Sequence, residues 1–169
     1  MKNFDKEIAQ CMDVYNEAWS RNFGFVPMTD AEFAQMAKEA KMILDTDFCL
    51  VAEHNGKAVG FTLCIPDINQ IQIKMKKGRL FPFGIFKLLF GRKKIKKLRV
   101  LALGVKEDYR KLGIEAVLYG IMLQNAVKKN IIEAEASWIL EDNEMMNRAL
   151  ENINAKVYKR YRIVEKHIE

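Results

Sequence analysis

The residue pattern predicts an α/β fold with a mixed sheet, and three stretches predict it. Two β-rich runs, Phe48-Cys-Leu-Val-Ala-Glu and Ala58-Val-Gly-Phe-Thr-Leu-Cys-Ile, flank His-Asn-Gly-Lys. An Asn-Gly pair between apolar runs is the strongest short-range signal for an antiparallel hairpin. Leu98–Val105 is almost continuously apolar, as a strand covered on both faces must be. It is followed by a helical pattern, a β-rich run and a second helical pattern, the order of a strand–helix–strand crossover. The 169 residues, 50% of them hydrophobic, suffice for one well-buried core, so residues 1–169 are read as a single domain with a basic, aromatic insertion at about 67–97.

Each element follows from local spacing. Residues 4–18 carry Ile8, Cys11, Met12 and Tyr15 at helical intervals. A second helix opens at Thr29, where Thr29 and Glu32 form a capping box, and Phe33, Met36, Ala37 and Ala40 supply its apolar stripe. The connector Trp19-Ser-Arg-Asn-Phe-Gly-Phe-Val-Pro is aromatic-rich, and Trp19 and Phe23 are candidates to line a ligand cleft or to anchor the loop. The hairpin ends at Pro66. Within 67–97 a short helix precedes Leu80-Phe-Pro-Phe-Gly and a basic helix at 84–95. The spacing then predicts a helix at 112–130, a strand at 132–139, a helix at 142–153 and a last strand at 155–166, with Val157, Tyr161 and Ile163 on one face.

Charge is concentrated. Net charge is +6, but Lys74–Arg99 holds eleven basic residues and no acid, leaving 17 basic against 22 acidic residues elsewhere. Such a segment attracts anions: phosphates, nucleic acid, acidic lipid or an acidic substrate. The three cysteines are scattered and form no CxxC, as in a reduced, cytoplasmic protein. The start of the chain has no apolar core segment of a secretory leader. His54 and His167 are far apart and in no ligand spacing, so no metal is expected, and His54 beside Asn55-Gly56 reads as an exposed turn residue.

The chemistry concentrates in Leu101-Ala-Leu-Gly-Val-Lys-Glu-Asp-Tyr-Arg-Lys-Leu-Gly-Ile-Glu-Ala. This is a buried strand, a polar turn, then Arg110-x-x-Gly113 opening a helix. A helix start presents unpaired amides and the positive end of the dipole, and Gly113 permits close approach of the backbone to a ligand. With Arg110 and Lys111, that makes a site for a pyrophosphate.

In this stretch the sequence resembles the GNAT superfamily of acetyl-CoA-dependent N-acetyltransferases, whose signature is a strand, a short polar turn and Arg/Gln-x-x-Gly-x-Gly/Ala at a helix start. Val105, Tyr109, Arg110, Gly113 and Ile114 stand at matching positions, and the order of elements agrees over nearly the whole chain. Trp138-Ile-Leu-Glu-Asp-Asn143 resembles the family's second motif. The resemblance implies a GNAT (acyl-CoA N-acyltransferase) fold with helices on both faces of the sheet, and acetyl-CoA or another acyl-CoA as cofactor. The cofactor would be held by Leu103, Gly104, Val105, Arg110, Lys111, Leu112, Gly113, Ile114, Glu115 and Ala116, with Asn143 on the pantetheine arm. It also implies direct transfer to a small-molecule or peptide amine.

Four departures stand out. Glu115 replaces the last small residue of the phosphate turn, with Ala116 one position on. Leu150 stands where the family often has a general-acid tyrosine, Asn154-Ala155 replaces Gly-Phe, and the final hairpin is reduced to one run. Candidates for proton transfer are therefore Glu135, Glu141 and Tyr109, with Ser137 beside the acceptor. The insertion supplies Leu80, Phe81, Phe83 and Phe86 to roof an acceptor pocket. Membrane contact through 80–97 is the less favoured reading, and nucleic acid is not expected; a homodimer is compatible with the pattern. Two rivals remain: a catalytically silent CoA-binding or structural half of a tandem GNAT protein, and a basic membrane- or nucleic-acid-binding module.

Overall fold

The Asn55-Gly56 turn closes a hairpin between β1 (Cys49–His54) and β2 (Lys57–Pro66). Asn55 and Gly56 both hold positive φ, +52° and +74°, which is what a two-residue turn matched to strand twist requires. The computed structural model that shows this describes residues 4–41, 43–75, 79, 81 and 84–167. These fall into two compact units, one ending at Ser137 and one beginning at Trp138.

In the first unit, β3 (Lys97–Val105) pairs antiparallel with β2, and β4 (Glu133–Ala136) pairs parallel with β3, giving a mixed sheet in the order β1-β2-β3-β4. Helices cover both faces. Helix α1 (Phe4–Trp19) packs Val14, with Cys11, Tyr15 and Trp19, on Ala58, Phe61, Leu63 and Ala102. On the opposite face, α5 (Ile114–Lys128) brings Met122 and Tyr119 to Cys64, Leu98, Val100 and Phe48. Leu98 and Val100 thus face α5, whereas Ala102 faces α1. The switch occurs at Leu101: Leu63 pairs with Ala102 but Cys64 with Val100, so Leu101 has no partner on β2 and forms a bulge.

Helix α2 (Asp30–Ala40) starts with the capping box of its sequence. The Thr29 hydroxyl accepts from the Glu32 amide at 3.3 Å, and the Glu32 carboxylate accepts from the Thr29 amide at 2.9 Å, an arrangement worth about 1 kcal/mol. After β2 come the one-turn helix α3 (Asn69–Gln72) and α4 (Gly84–Gly91). The basic helix expected at 84–95 ends at Gly91 and continues as a 3-10 turn over Arg92–Lys94. No described helix is long and apolar enough to cross a membrane.

The second unit contains α6 (Glu144–Asn152), a Trp138–Tyr161 ring contact at 6.4 Å and an Arg160–Glu141 ion pair. The spacing predicts a strand at 155–166, and none forms: residues 155–167 are exposed and show no strand pairing among the described residues. Alternation of Val157, Tyr161 and Ile163 satisfies only half of what a strand needs, the other half being a neighbour for its amides. The strand expected at 132–139 is likewise limited to Glu133–Ala136.

Candidate functional site

The site grows out of an asymmetry in β3. Its pairing with β2 runs to Val105, but its pairing with β4 stops at Val100 opposite Ala136. From Leu101 to Val105, one edge of a largely buried strand therefore presents backbone donors and acceptors without a paired strand among the described residues, groups that demand partners. That edge contains Leu103, Gly104 and Val105.

Beyond Val105 the chain turns through Glu107–Tyr109 into α5. Lys111 (φ +68°) and Gly113 (φ +79°) alternate with ordinary backbone, a sequence of conformations that curls successive amides into a concave anion cradle. The first amides of α5 have no intrahelical acceptors, and its N-cap, Gly113, makes no side-chain capping bond. A Cβ placed on Gly113 would meet nothing within 4 Å. Lys111, Leu112, Gly113 and Ala116 are exposed, and Ile114 and Glu115 half-buried. Open space, free amides and the helix dipole coincide here, a fit for a diphosphate.

The turn is rigidly tied, and Arg110 is one of the ties. Its Nε donates to the Val105 carbonyl and its Nη2 to the Ala18 carbonyl, both at 3.2 Å. Lys106 pairs with Asp13 and, at 3.4 Å, with Glu17, and its ammonium pKa is raised first by the Asp13 hydrogen bond. The Glu107 amide donates to Glu17 at 3.1 Å. Arg110 thus latches the turn to α1 instead of projecting away from it, which leaves main-chain amides as the donors of the turn. Burial and then the charges of Cys64 and Glu115 raise the pKa of Tyr119, so the field of Glu115 reaches one turn along α5.

Of the aromatics expected at a cleft, Trp19 is part of the core. It stacks on Tyr15 at 4.7 Å and tilts against Phe61 at 6.2 Å. Gly104 makes room for it: a Cβ there would collide with the Trp19 ring and sit 3.1 Å from the Ala18 Cβ. Phe23 and Phe81 are 86% and 71% exposed, and Phe86 is exposed too, so the described residues form no roof from Phe81 and Phe86. Leu80 and Phe83 lie outside the described residues.

Tyr109 has a partner that sequence reasoning missed. His54 Nδ1 lies 3.0 Å from the Tyr109 hydroxyl, with the rings edge-on at 5.6 Å. His54 ends β1 and Tyr109 follows β3, so only the sheet order brings them together.

At the other end of the open edge lies a polar cluster. Parallel pairing sets Glu135 beside Arg99. Lys97 Nζ is 3.4 Å and Arg99 Nε 3.9 Å from the Glu135 carboxylate. Ser137 donates to Glu135 at 3.2 Å and accepts from Arg99 Nη2 at 3.2 Å. Glu135 is thus held between two cations and a hydroxyl donor, which places it to anchor donors. Nearby in sequence to the paired residues Ile65 and Pro66, buried Asp67 keeps one oxygen, Oδ1, without a hydrogen bond among the described residues.

The remaining two candidates belong to the second unit. Asn143 caps α6, its Oδ1 accepting from the Met146 amide at 3.2 Å. Glu141 is exposed and faces Arg160 at 3.6 Å, a pairing of small energetic consequence at such exposure.

No family model matches the chain. It is similar to protein YghO of Escherichia coli, 36% identical over 173 residues, and to a bacterial ceramide synthase of Caulobacter vibrioides, 34% identical over 172 residues. These alignments cover 99% and 98% of this chain but 44% of each relative, so the chain spans less than half the length of the curated relatives it matches. Among solved structures it resembles the aminoglycoside acetyltransferase AAC(6')-Iy in complex with a CoA-containing bisubstrate analogue, at a TM-score of 0.60 and 12% identity over 96% of this chain and 93% of the other. It also resembles AAC(6')-IG of Acinetobacter haemolyticus, at 0.61 and 13% over 97% and 94%. A ribosomal-protein-alanine N-acetyltransferase of Brucella melitensis matches at 0.56 and 13% over 96% and 95%. The mixed sheet, the helices on its two faces and the turn into α5 thus compose the fold of the GNAT acetyltransferases.

Proposed function

We propose that this chain is the acyl-CoA-binding part of an N-acyltransferase that passes an acetyl or longer acyl group to a long-chain amine by direct attack in a ternary complex. The observation that carries this reading is the unpaired edge of β3 leading straight into the uncapped amides at Gly113. The likeness to a ceramide synthase supports the acceptor class, since a ceramide is a long-chain amine acylated on nitrogen.

Acyl-CoA, when bound, supplies the activated thioester carbon. The amides of Lys111–Ala116 would hold its diphosphate, and the edge of Leu103, Gly104 and Val105 its pantetheine; Asn143 of the second unit is a separate candidate for contact with the cofactor. Donors on the same edge would stabilise negative charge on the thioester oxygen, by roughly 3–4 kcal/mol per well-placed donor. Glu135 and Ser137 orient the attacking amine. The attacking amine would lose its proton to water, and the departing thiolate would take one from Tyr109, which is hydrogen-bonded to His54; Glu141, in the second unit, is a separate candidate for proton transfer.

The test is thiol release from acetyl-CoA and palmitoyl-CoA with sphinganine and a panel of short amines. Release that depends on the long-chain amine is expected from this chain itself; failure both to bind CoA and to release thiol overturns the reading. Leu150, which has no proton to give, favours a second reading in which this part binds CoA while another part of a longer polypeptide performs the chemistry. CoA binding by this chain alone, with thiol release only by the full-length polypeptide, selects the second.

A further inference from the structure

Helix α4 is turned inside out relative to an ordinary surface helix. Its packed side carries Gly84 and Gly91 together with half-buried Ile85 and Leu88. A Cβ on Gly84 would run into the Arg79 carbonyl and the Met75 side chain, and a Cβ on Gly91 would lie 2.9 Å from Cδ1 of Ile71 on α3. Its outer side is apolar: Phe86, Leu89 and Phe90 are 55%, 60% and 71% exposed. At 100° per residue these three span one continuous arc, with exposed Lys87 on its flank. The segments that flank α4 in sequence add exposed Ile73 and Phe81 and exposed Lys74, Arg79, Lys94 and Lys96. Lys97 and Arg99, by contrast, are engaged by Glu135.

A soluble protein has no reason to bury its glycines and present its phenylalanines unless something else covers them. The cover must accept large apolar groups and attract a dense positive rim. Lys74–Arg99 contains eleven cations and no anion, so the complementary surface is negative around an apolar interior. An anionic phospholipid bilayer has that structure: acyl chains receive the apolar arc and headgroup phosphates meet the cations. Polynucleotide would satisfy the cations but leave Leu89 and the helical arc without a role.

We propose that α4 is a membrane-docking helix that inserts Phe86, Leu89 and Phe90 into the interface of an anionic bilayer while Lys87, Lys94 and Lys96 engage lipid phosphates. This inference does not rest on the proposed acyl transfer, and its readout requires no turnover. The test is flotation of the full-length polypeptide with vesicles of phosphatidylcholine alone and of phosphatidylcholine mixed with phosphatidylglycerol. Binding is expected only to the mixed vesicles and should weaken with salt. At about fivefold per cation near a charged surface, Lys87→Glu/Lys94→Glu/Lys96→Glu should lower partitioning by about 100-fold or more. Phe86→Ser/Leu89→Ser/Phe90→Ser should lose at least about 100-fold through its apolar contacts. Leu123→Ser/Val127→Ser, at comparably exposed positions on α5, should bind like the wild type. Phe90→Trp should shift its emission to the blue and be quenched by brominated lipid. The proposal is overturned if the wild type does not float with the mixed vesicles, if the triple serine variant floats equally well, or if single-stranded DNA is bound while vesicles are not.

Discussion

Gly113→Trp tests the cofactor site with a change whose structural cost can be bounded beforehand. Gly113 holds φ +79° and ψ 10°, the left-handed region, and a Cβ there would meet no atom within 4 Å. The variant therefore carries backbone strain without a clash, about 1–2 kcal/mol. For a chain of this size that lowers Tm by about 2–8 °C. Binding should suffer far more, because the indole would occupy the space over the free amides of α5. Losing even two hydrogen bonds to a charged diphosphate, at about 1.5–3 kcal/mol each, weakens CoA by about 100-fold or more. Gly113→Ala has the same strain but adds one methyl, so it should melt like the tryptophan variant and bind CoA better. The measurement is calorimetric titration of CoA into the three proteins, with melting curves alongside. A folded Gly113→Trp protein that binds CoA like the wild type would refute the reasoning.

Gly104→Ala should destabilise by about 1–3 kcal/mol, since its methyl would strike Trp19. Combining it with Trp19→Leu should recover part of that loss in a double-mutant cycle followed by urea unfolding. Arg110→Ala removes the bonds to Val105 and Ala18, and should lower Tm and increase amide exchange in the 106–113 turn. Asn143→Ala deletes the cap of α6, at a cost of about 0.5–2 kcal/mol; weaker CoA binding is expected in addition, and a stability loss with unchanged affinity would leave Asn143 a cap alone. Burial pushes the thiols of Cys11, Cys49 and Cys64 up to about 11, 12 and 11 from an ordinary value of 9.0. The folded state disfavours thiolate, so this stability is complete below pH 9 and declines as pH rises toward 11–12. Native protein should accordingly react slowly with a thiol reagent at pH 8, and unfolded protein quickly.

Local signals were legible where a few adjacent residues determine the outcome. The Asn55-Gly56 turn and the Thr29–Glu32 box each involve side chains and amides within four positions, and both form. The turn from β3 into α5 was legible for a similar reason, since a strand, a glycine and a helix start are consecutive. What depended on distant neighbours was not. The outcome at 155–166 depends on whether another strand is available to it. Arg110 reads as a ligand-facing cation until Ala18, 92 positions away, accepts from it. His54 acquires Tyr109 only through the sheet order. The bulge at Leu101 was invisible because a strand buried on both faces shows no alternation to interrupt. The orientation of α4 was equally hidden: nearly every position is apolar or glycine, so periodicity could not tell its inner side from its outer.

Leu101 is dispensable to the architecture around it. Cut that one residue out and the strand regains strict two-residue periodicity: Leu98, Val100, Leu103 and Val105 still meet α5, while Ala102 and Gly104 still meet α1. A shortened chain lacking Leu101 should fold with its core intact and gain hydrogen bonds along β2, while losing the outward bow of main chain at the point where β4 departs. The extra residue thus sits where β3 parts from β4, on the edge proposed to hold the pantetheine.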